Sequence, residues 1–241
     1  LRVVLQPSEI ERALVVTAHP DDVDFGAAGT IATLTAQGAH VTYCLVTDGD
    51  AGGDDRSISR AEMAAMRRKE QTEAAHVVGV TDLVFLGHGD GRLQATLELR
   101  RDISRVIRQV RPRVVISPSP ERNLDRIFAS HPDHLAAGEA ALAAVYPDSR
   151  NPFAFPELLE EGLEPWTVEE VWLLGHHTAT DCVDITAHAD AKIRALMCHA
   201  SQLPDPAGAE ERVRGWVRHT AAAFGLPEGS CAEAFRVVRA V

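Results

Sequence analysis

The sequence has no run of about eighteen or more apolar residues, so no segment reads as a membrane-spanning helix. It has no useful Lys/Arg-rich run, and acidic residues outnumber basic ones, 35 against 24, for a formal net charge of −11. Nucleic-acid binding, which needs a basic face, is disfavoured; the acidity itself favours solubility and names no partner. The four cysteines, Cys44, Cys182, Cys198 and Cys231, are far apart and form no CxxC. They read as reduced, mostly buried thiols of a cytoplasmic protein. The opening residues 1–12 show neither the layout of a secretory signal nor its small-residue cleavage pattern. No GxGxxG follows the first expected strand, so a dinucleotide site is not indicated.

What is present is ordinary globular material. The 241 residues are 45% hydrophobic and 24% charged, enough for a large α/β domain with a substantial core. No linker, repeat or low-complexity tract divides the chain, so one domain over 1–241 is expected. Apolar and β-branched runs predict strands at 12–17, 40–47, 82–86 and 113–117, with further candidates at 169–175 and 235–241. Helical periodicity covers 23–37, 59–78, 94–110, 132–145, 187–200 and 209–223. Ser59 with Glu62 forms a capping box, and Gly79 is a helix stop. The stretch 147–167, with four prolines, reads as an irregular surface excursion. Alternating strands and helices call for an α/β fold, a mostly parallel sheet with helices on both faces. Ligands bind such sheets at the carboxyl ends of the strands, in the crevice between the first and fourth strands where strand order reverses.

Two tetrapeptides fall at that edge, His19-Pro20-Asp21-Asp22 after the first strand and His131-Pro132-Asp133-His134 beyond the fourth. A catalytic zinc takes three protein ligands from His nitrogen and Asp oxygen and keeps one position open. His19, Asp22 and His134 supply that set. Pro20 and Pro132 each suit the first position of a helix, where a missing N–H costs nothing. Asp21, beside the ligand Asp22, is placed to act as general base on water whose pKa a metal lowers to about 7. His131 is a candidate to stabilise a developing oxyanion, with Asp133 orienting it. The plainer alternative is that His-Pro-Asp merely starts a helix, with Asp favourable in the first turn. Two copies at matching strand ends argue against it. His76, His88, His176, His177 and His188 read as structural or solvated.

These residues resemble the N-acetylglucosaminyl-phosphatidylinositol de-N-acetylase family, also called PIG-L or LmbE-like. The likeness spans VVTAHPDD (15–22), FGAAGTI (25–31), TDGDAG (47–52), RRKEQTEAAHVVGV (67–80), FLGHGDGRL (85–93), SHPDH (130–134) and DITAHADAKIRALMCHASQ (184–202). It implies a Rossmann-like fold and metal-dependent hydrolysis of a linear amide, commonly an N-acetylglucosamine unit on inositol, malate, a lipid or an antibiotic core. Carried over residue by residue, it gives zinc, iron(II) or another divalent metal on His19, Asp22 and His134. Asp21 is then the base, and His131 with Asp133 the electrophilic pair. It also implies that Asp50, Arg67 and Asp90 hold sugar hydroxyls, where the residue-level alternatives are turn chemistry for the aspartates and a surface Arg67–Glu70 contact. The Tyr that some members carry two residues before the second motif is Ala129 here. The expected substrate is therefore a small N-acetylated sugar or glycoconjugate, and a homo-oligomer is compatible with it. Alternatives are an amidase of a thiol conjugate or small metabolite, a non-catalytic sugar-binding α/β module, and a metal-free glycosidase using Asp21 and Asp48.

Overall fold

The computed structural model describes residues 4–125, 127 and 130–241; Ala129 lies outside them. Among these residues seven strands form one sheet in the order β3-β2-β1-β4-β5-β7-β6. They are β1 Arg12–Thr17, β2 His40–Thr47, β3 Asp82–His88, β4 Val114–Pro118, β5 Glu170–Leu174, β6 Asp181–Asp184 and β7 Ala232–Arg239. The first five are parallel; β7 runs antiparallel to both β5 and β6. In β1 every residue after Arg12 is buried, as expected of a parallel strand covered on both faces.

Side chains alternate between two apolar layers. Val15 and Ile116 face a core closed by α2 Ala28–Ala36, α3 Arg60–Val77, α7 Ala189–Leu196 and α8 Pro206–Ala223. Leu14, Val16 and Val115 face a second core closed by α4 Leu97–Val110 and α5 Pro132–Val145. Strand order reverses between β1 and β4, where the alternation of elements in the sequence puts it. The stretch 147–167 holds only a 3-10 turn and the one-turn α6 Glu157–Glu160.

Three local expectations need correction. The helix expected over 23–37 is two pieces, α1 Asp22–Gly26 and α2, broken at Ala27. The cause is tertiary. The Lys192 ammonium donates to the carbonyls of Asp24 and Phe25 at the end of α1, and the Glu233 carboxylate accepts the N–H groups of Gly29 and Thr30 at the start of α2. Helix ends leave such groups without internal partners, and here a buried ion pair satisfies both ends at once. The last strand spans Ala232–Arg239 rather than 235–241, and β6 was not expected, because the short DCVD has no clear alternation. The Ser59–Glu62 capping box forms as read, with the Ser59 hydroxyl accepting from Glu62 N–H and the Glu62 carboxylate accepting from Ser59 N–H.

Lys192 and Glu233 lie 2.7 Å apart, with side chains 2% and 3% exposed. Removing one partner strands the other charge in the core. Lys192→Met is expected to cost about 3–5 kcal/mol in urea unfolding. Lys192→Met with Glu233→Gln should recover part of that loss; a single variant as stable as the parent would contradict the assignment.

Candidate active site

The carboxyl end of β1 delivers His19, and the chain then turns sharply into α1. Asp21 sits in the left-handed region at φ 90° and is the N-cap of α1, so Asp22 is its first residue. The Asp22 carboxylate reaches back to accept the His19 N–H at 2.8 Å. From the other segment, His131 is the N-cap of α5 and Pro132 its first residue. Pro132 thus has the place expected for it. Pro20 does not: it precedes the N-cap, and its carbonyl instead accepts from the Arg67 guanidinium.

The two motifs meet. His134 Nε2 lies 2.9 Å from Asp22 Oδ1 and 3.3 Å from His19 Nδ1, while His19 Nδ1 lies 3.7 Å from Asp22 Oδ2. Ligand atoms about 2.0–2.2 Å from a tetrahedral ion stand roughly 3.3–3.6 Å apart, so this donor set fits a small divalent cation. His131 joins the cluster, its ring centroid 5.0 Å from that of His19 and 5.4 Å from that of His134.

The far nitrogen of His19 faces two more carboxylates, Asp90 at 3.1 Å and Asp133 at 3.2 Å. Asp133 is 1% exposed and also accepts the N–H groups of Gly91 and Leu93. Its carboxylate therefore orients His19, whereas the sequence reading gave it to His131. The link to His131 runs through backbone: His131 Nδ1 accepts the Asp133 N–H at 3.2 Å, which leaves the His131 proton on Nε2.

Charge is unbalanced here. Burial alone would push His19 down, but the Asp22 and Asp90 carboxylates outweigh it and hold the imidazole up at about 11. Against their own burial, Asp22 is held far below the usual carboxylate range by His134 and His19, and Asp90 is drawn to about 2 by His19 and the Ala51 N–H. Asp22 in turn raises His134 despite its burial. Burial and the neighbouring His19 and His134 lower His131, keeping it neutral. A cluster that retains protons this strongly lacks positive charge, and a divalent cation would supply it.

Asp21 has a separate environment. Burial pushes its carboxyl up to about 6 against the pull of Arg67, with Asp22 adding to the rise. Arg67, 4% exposed, lies 3.1 Å from Asp21 Oδ2 and donates to the carbonyl of Gly49. It is not the surface arginine of the alternative reading; Glu70 instead accepts from Ser201 N–H and hydroxyl. Asp90 joins the cleft through His19, whereas Asp50 is bound in both oxygens by Arg60 and does not line the main cleft.

Behind Asp21 lies a group that includes His199, which the resemblance marks as the first residue of the HxSQ at 199–202. The Gln71 side chain accepts the Asp21 N–H and donates to Asp24, and His199 Nε2 lies 2.8 Å from the same Asp24 oxygen. His199 and Asp24 are fully buried. The HxSQ at 199–202 marks His199, but nothing local pairs it with Asp24, so far away along the chain.

The cluster opens on a cleft of about 820 Å³, well within the size range of ligand sites. At its rim His176 Nε2 lies 3.1 Å from Glu121, with His177 stacked on His176. His176 Nδ1 accepts the Thr178 N–H, so Nε2 carries the proton and donates to Glu121. That tautomer makes a hydrogen bond and leaves no lone pair for a cation.

The fold and site are those of an α/β protein with a His/Asp cluster at the sheet's switch point, and comparison gives the family. Residues 14–145 match the family described as GlcNAc-PI de-N-acetylase, and the chain belongs to that PIG-L family. It is 35% identical to the diacetylchitobiose deacetylase of Thermococcus kodakarensis, over 82% of this chain and 72% of that one. It is 31% identical to a 1D-myo-inositol 2-acetamido-2-deoxy-alpha-D-glucopyranoside deacetylase of Rhodococcus erythropolis, over 83% and 84% of the two chains. The structure of N,N'-diacetylchitobiose deacetylase from Pyrococcus horikoshii superposes with a TM-score of 0.88 at 32% identity, covering 96% of this chain and 85% of that one. No helix among the described residues is long and apolar enough to cross a membrane.

The buried His199–Asp24 contact carries a pH signature. Asp24 raises His199 above its ordinary value, overcoming burial, so the proton is held more tightly folded than unfolded. The resulting stability is complete below about pH 6.5, the unfolded value, and is lost as pH rises through the higher folded value. Urea unfolding of wild type and His199→Gln between pH 5.5 and 9 should show the gap in stability narrowing as pH increases. A gap that widens would reverse the sign of this linkage.

Proposed function

We propose that the protein is a zinc-dependent deacetylase that hydrolyses the N-acetyl amide of an N-acetylglucosamine-containing sugar or glycoconjugate. The observation that carries this reading is the approach of His134 to Asp22 and His19 across the β1/β4 crevice, at 2.9 and 3.3 Å. Its chemistry agrees with the names of the relatives, which are deacetylases of acetamido sugars. In this reading His19, Asp22 and His134 hold the metal. When bound, such an ion polarises the acyl carbonyl and makes water more acidic.

The chain's own groups then do the following. Asp21 takes the proton of the attacking water as its oxygen adds to the acyl carbon. Arg67 and Gln71 hold Asp21 in place from side chain and backbone. His131 Nε2–H donates to the oxygen that gains negative charge. As the C–N bond breaks, the proton on Asp21 passes to the departing nitrogen, leaving acetate and a free amino sugar. Asp90 and Asp133 fix the tautomer and ring plane of His19.

Elemental analysis combined with an amine-release assay on N-acetylglucosamine derivatives tests this. One divalent ion per chain is expected. Asp21→Asn should retain the metal and lose about 10²–10⁴-fold in kcat/KM, whereas His134→Ala should lose the metal itself. Amine release that survives chelation, or full activity in Asp21→Asn, would sink the reading.

A further inference from the structure

The cleft is chemically divided. At the end of β1 it is lined by His19, Asp22 and His134; at the ends of β4 and β5 it is lined by Pro118 and Leu174; Trp216 of α8 lines the same cleft. Strand order places β4 and then β5 beside β1, and α8 packs on β7, β6 and α7.

Trp216 is set up as a platform. The buried stripe Ala209, Val213, Val217 and Ala221 anchors α8, and the Asp205 side chain caps its start by accepting the Gly208 N–H. Trp216, His219 and Thr220 follow at helix spacings of three and four, so one stripe of α8 faces the cleft. Trp172 is 2% exposed, and the Trp166 indole N–H is bound by the Pro112 carbonyl. Trp216 is 49% exposed on the cleft wall. An open indole offers a rigid apolar face. The same cleft is lined by His219, Thr220, Ser119 and Glu121, whose side chains carry hydrogen-bonding groups. A purely aliphatic chain would leave those groups unmatched on binding. A sugar ring, with an apolar C–H face and a rim of hydroxyls, matches both features.

We propose that Trp216 forms a second sugar subsite, stacking on a pyranose ring joined to the acetamido sugar, so that the protein acts on substrates at least a disaccharide long. This rests on the deacetylase reading above and adds a specificity-determining residue to it.

The probes are N-acetylglucosamine, its β-1,4-linked dimer and octyl N-acetylglucosaminide. Each is titrated by tryptophan fluorescence into the metal-loaded Asp21→Asn protein, with and without Trp216→Ala, and hydrolysed by wild type, Trp216→Ala and Trp216→Phe. The dimer should perturb the emission, and Trp216→Ala should abolish that signal. The preference in kcat/KM for the dimer over the monosaccharide should fall about five- to tenfold in Trp216→Ala. Trp216→Phe, which keeps a flat ring, should retain part of it. If Trp216→Ala lowers dimer and monosaccharide equally, the subsite is overturned and the deacetylase reading stands. If the octyl glycoside loses more than the dimer, the platform serves an alkyl group and the proposal fails. If neither sugar is bound or hydrolysed, both readings fall together.

Discussion

Three carboxylates converge on one imidazole. Asp22 meets one nitrogen of His19 while Asp90 and Asp133 meet the other, and His134 completes the ring of groups. Concentrating acidic charge in a partly buried place is unfavourable unless positive charge answers it. Despite burial, the neighbouring carboxylates raise the pKa of His19 and His134 in answer to it, and a divalent cation would answer it more fully. The fold can be understood as the means of bringing these groups together from three segments: the exit of β1, the loop after β3, and the start of α5. Parallel strands place all three at one edge, and the reversal of strand order between β1 and β4 leaves a crevice there.

Holding that arrangement demands a second layer of polar contacts. Asp21 occupies a left-handed conformation that non-glycine residues rarely adopt. Three interactions oppose that strain: Gln71 on its N–H, Arg67 on its carboxylate, and Arg67 again on the preceding carbonyl. Arg67 itself requires space beside the backbone of Gly49 and Gly52. A Cβ at either glycine would come within 2.4 or 2.6 Å of the guanidinium. The Gly-rich loop that reads as solvated turn material is thus the housing of a buried arginine. Lys192 and Glu233 perform a similar service for α1 and α2, fixing the short helix that carries Asp22. Buried ions of this kind give little net stability compared with apolar packing, but they specify one geometry.

Much of this was legible. Buried parallel strands are continuous apolar runs, and β1 and β2 keep the bounds their composition indicates. The Ser59–Glu62 capping box marks the start of α3, and Pro132 at the first helical position marks that of α5. The two His-Pro-Asp motifs located the crevice because strand ends and helix starts are local features. What escaped was non-local. The break at Ala27 depends on Lys192 and Glu233, more than a hundred residues downstream. His199 is marked by the HxSQ of the resemblance, but its partner Asp24 is not, since an aspartate early in the chain is an ordinary polar residue until His199 is beside it. Strand β6 exists because β7 offers it an edge. Trp216 falls on a helix whose periodicity assigns it to the margin of the apolar stripe, and only the neighbouring strand ends make that margin a wall.

The two motifs also show where pattern matching stops. They share three letters, yet their registers against the helices differ. In the first, α1 begins at the fourth residue, so Asp22 opens the helix and His19 stands three residues before it on the strand exit. In the second, α5 begins at the second residue, so His131 caps the helix and His134 lies within its first turn. The consequence is an exchange of duties. The leading histidine of the first motif meets Asp22 and His134, whereas in the second motif it is the trailing histidine that meets Asp22 while the leading one caps the helix. The third residue, Asp, is forced into a left-handed turn toward the cleft in one case and is buried against His19 in the other. Identical residues acquire different chemistry because the point at which a helix starts decides which side chains face the crevice. That point is set by Pro132 at the head of α5, where its fixed φ suits the first turn. At the head of α1 it is set by the contacts of Arg67 and Gln71, which Pro20 alone could not impose.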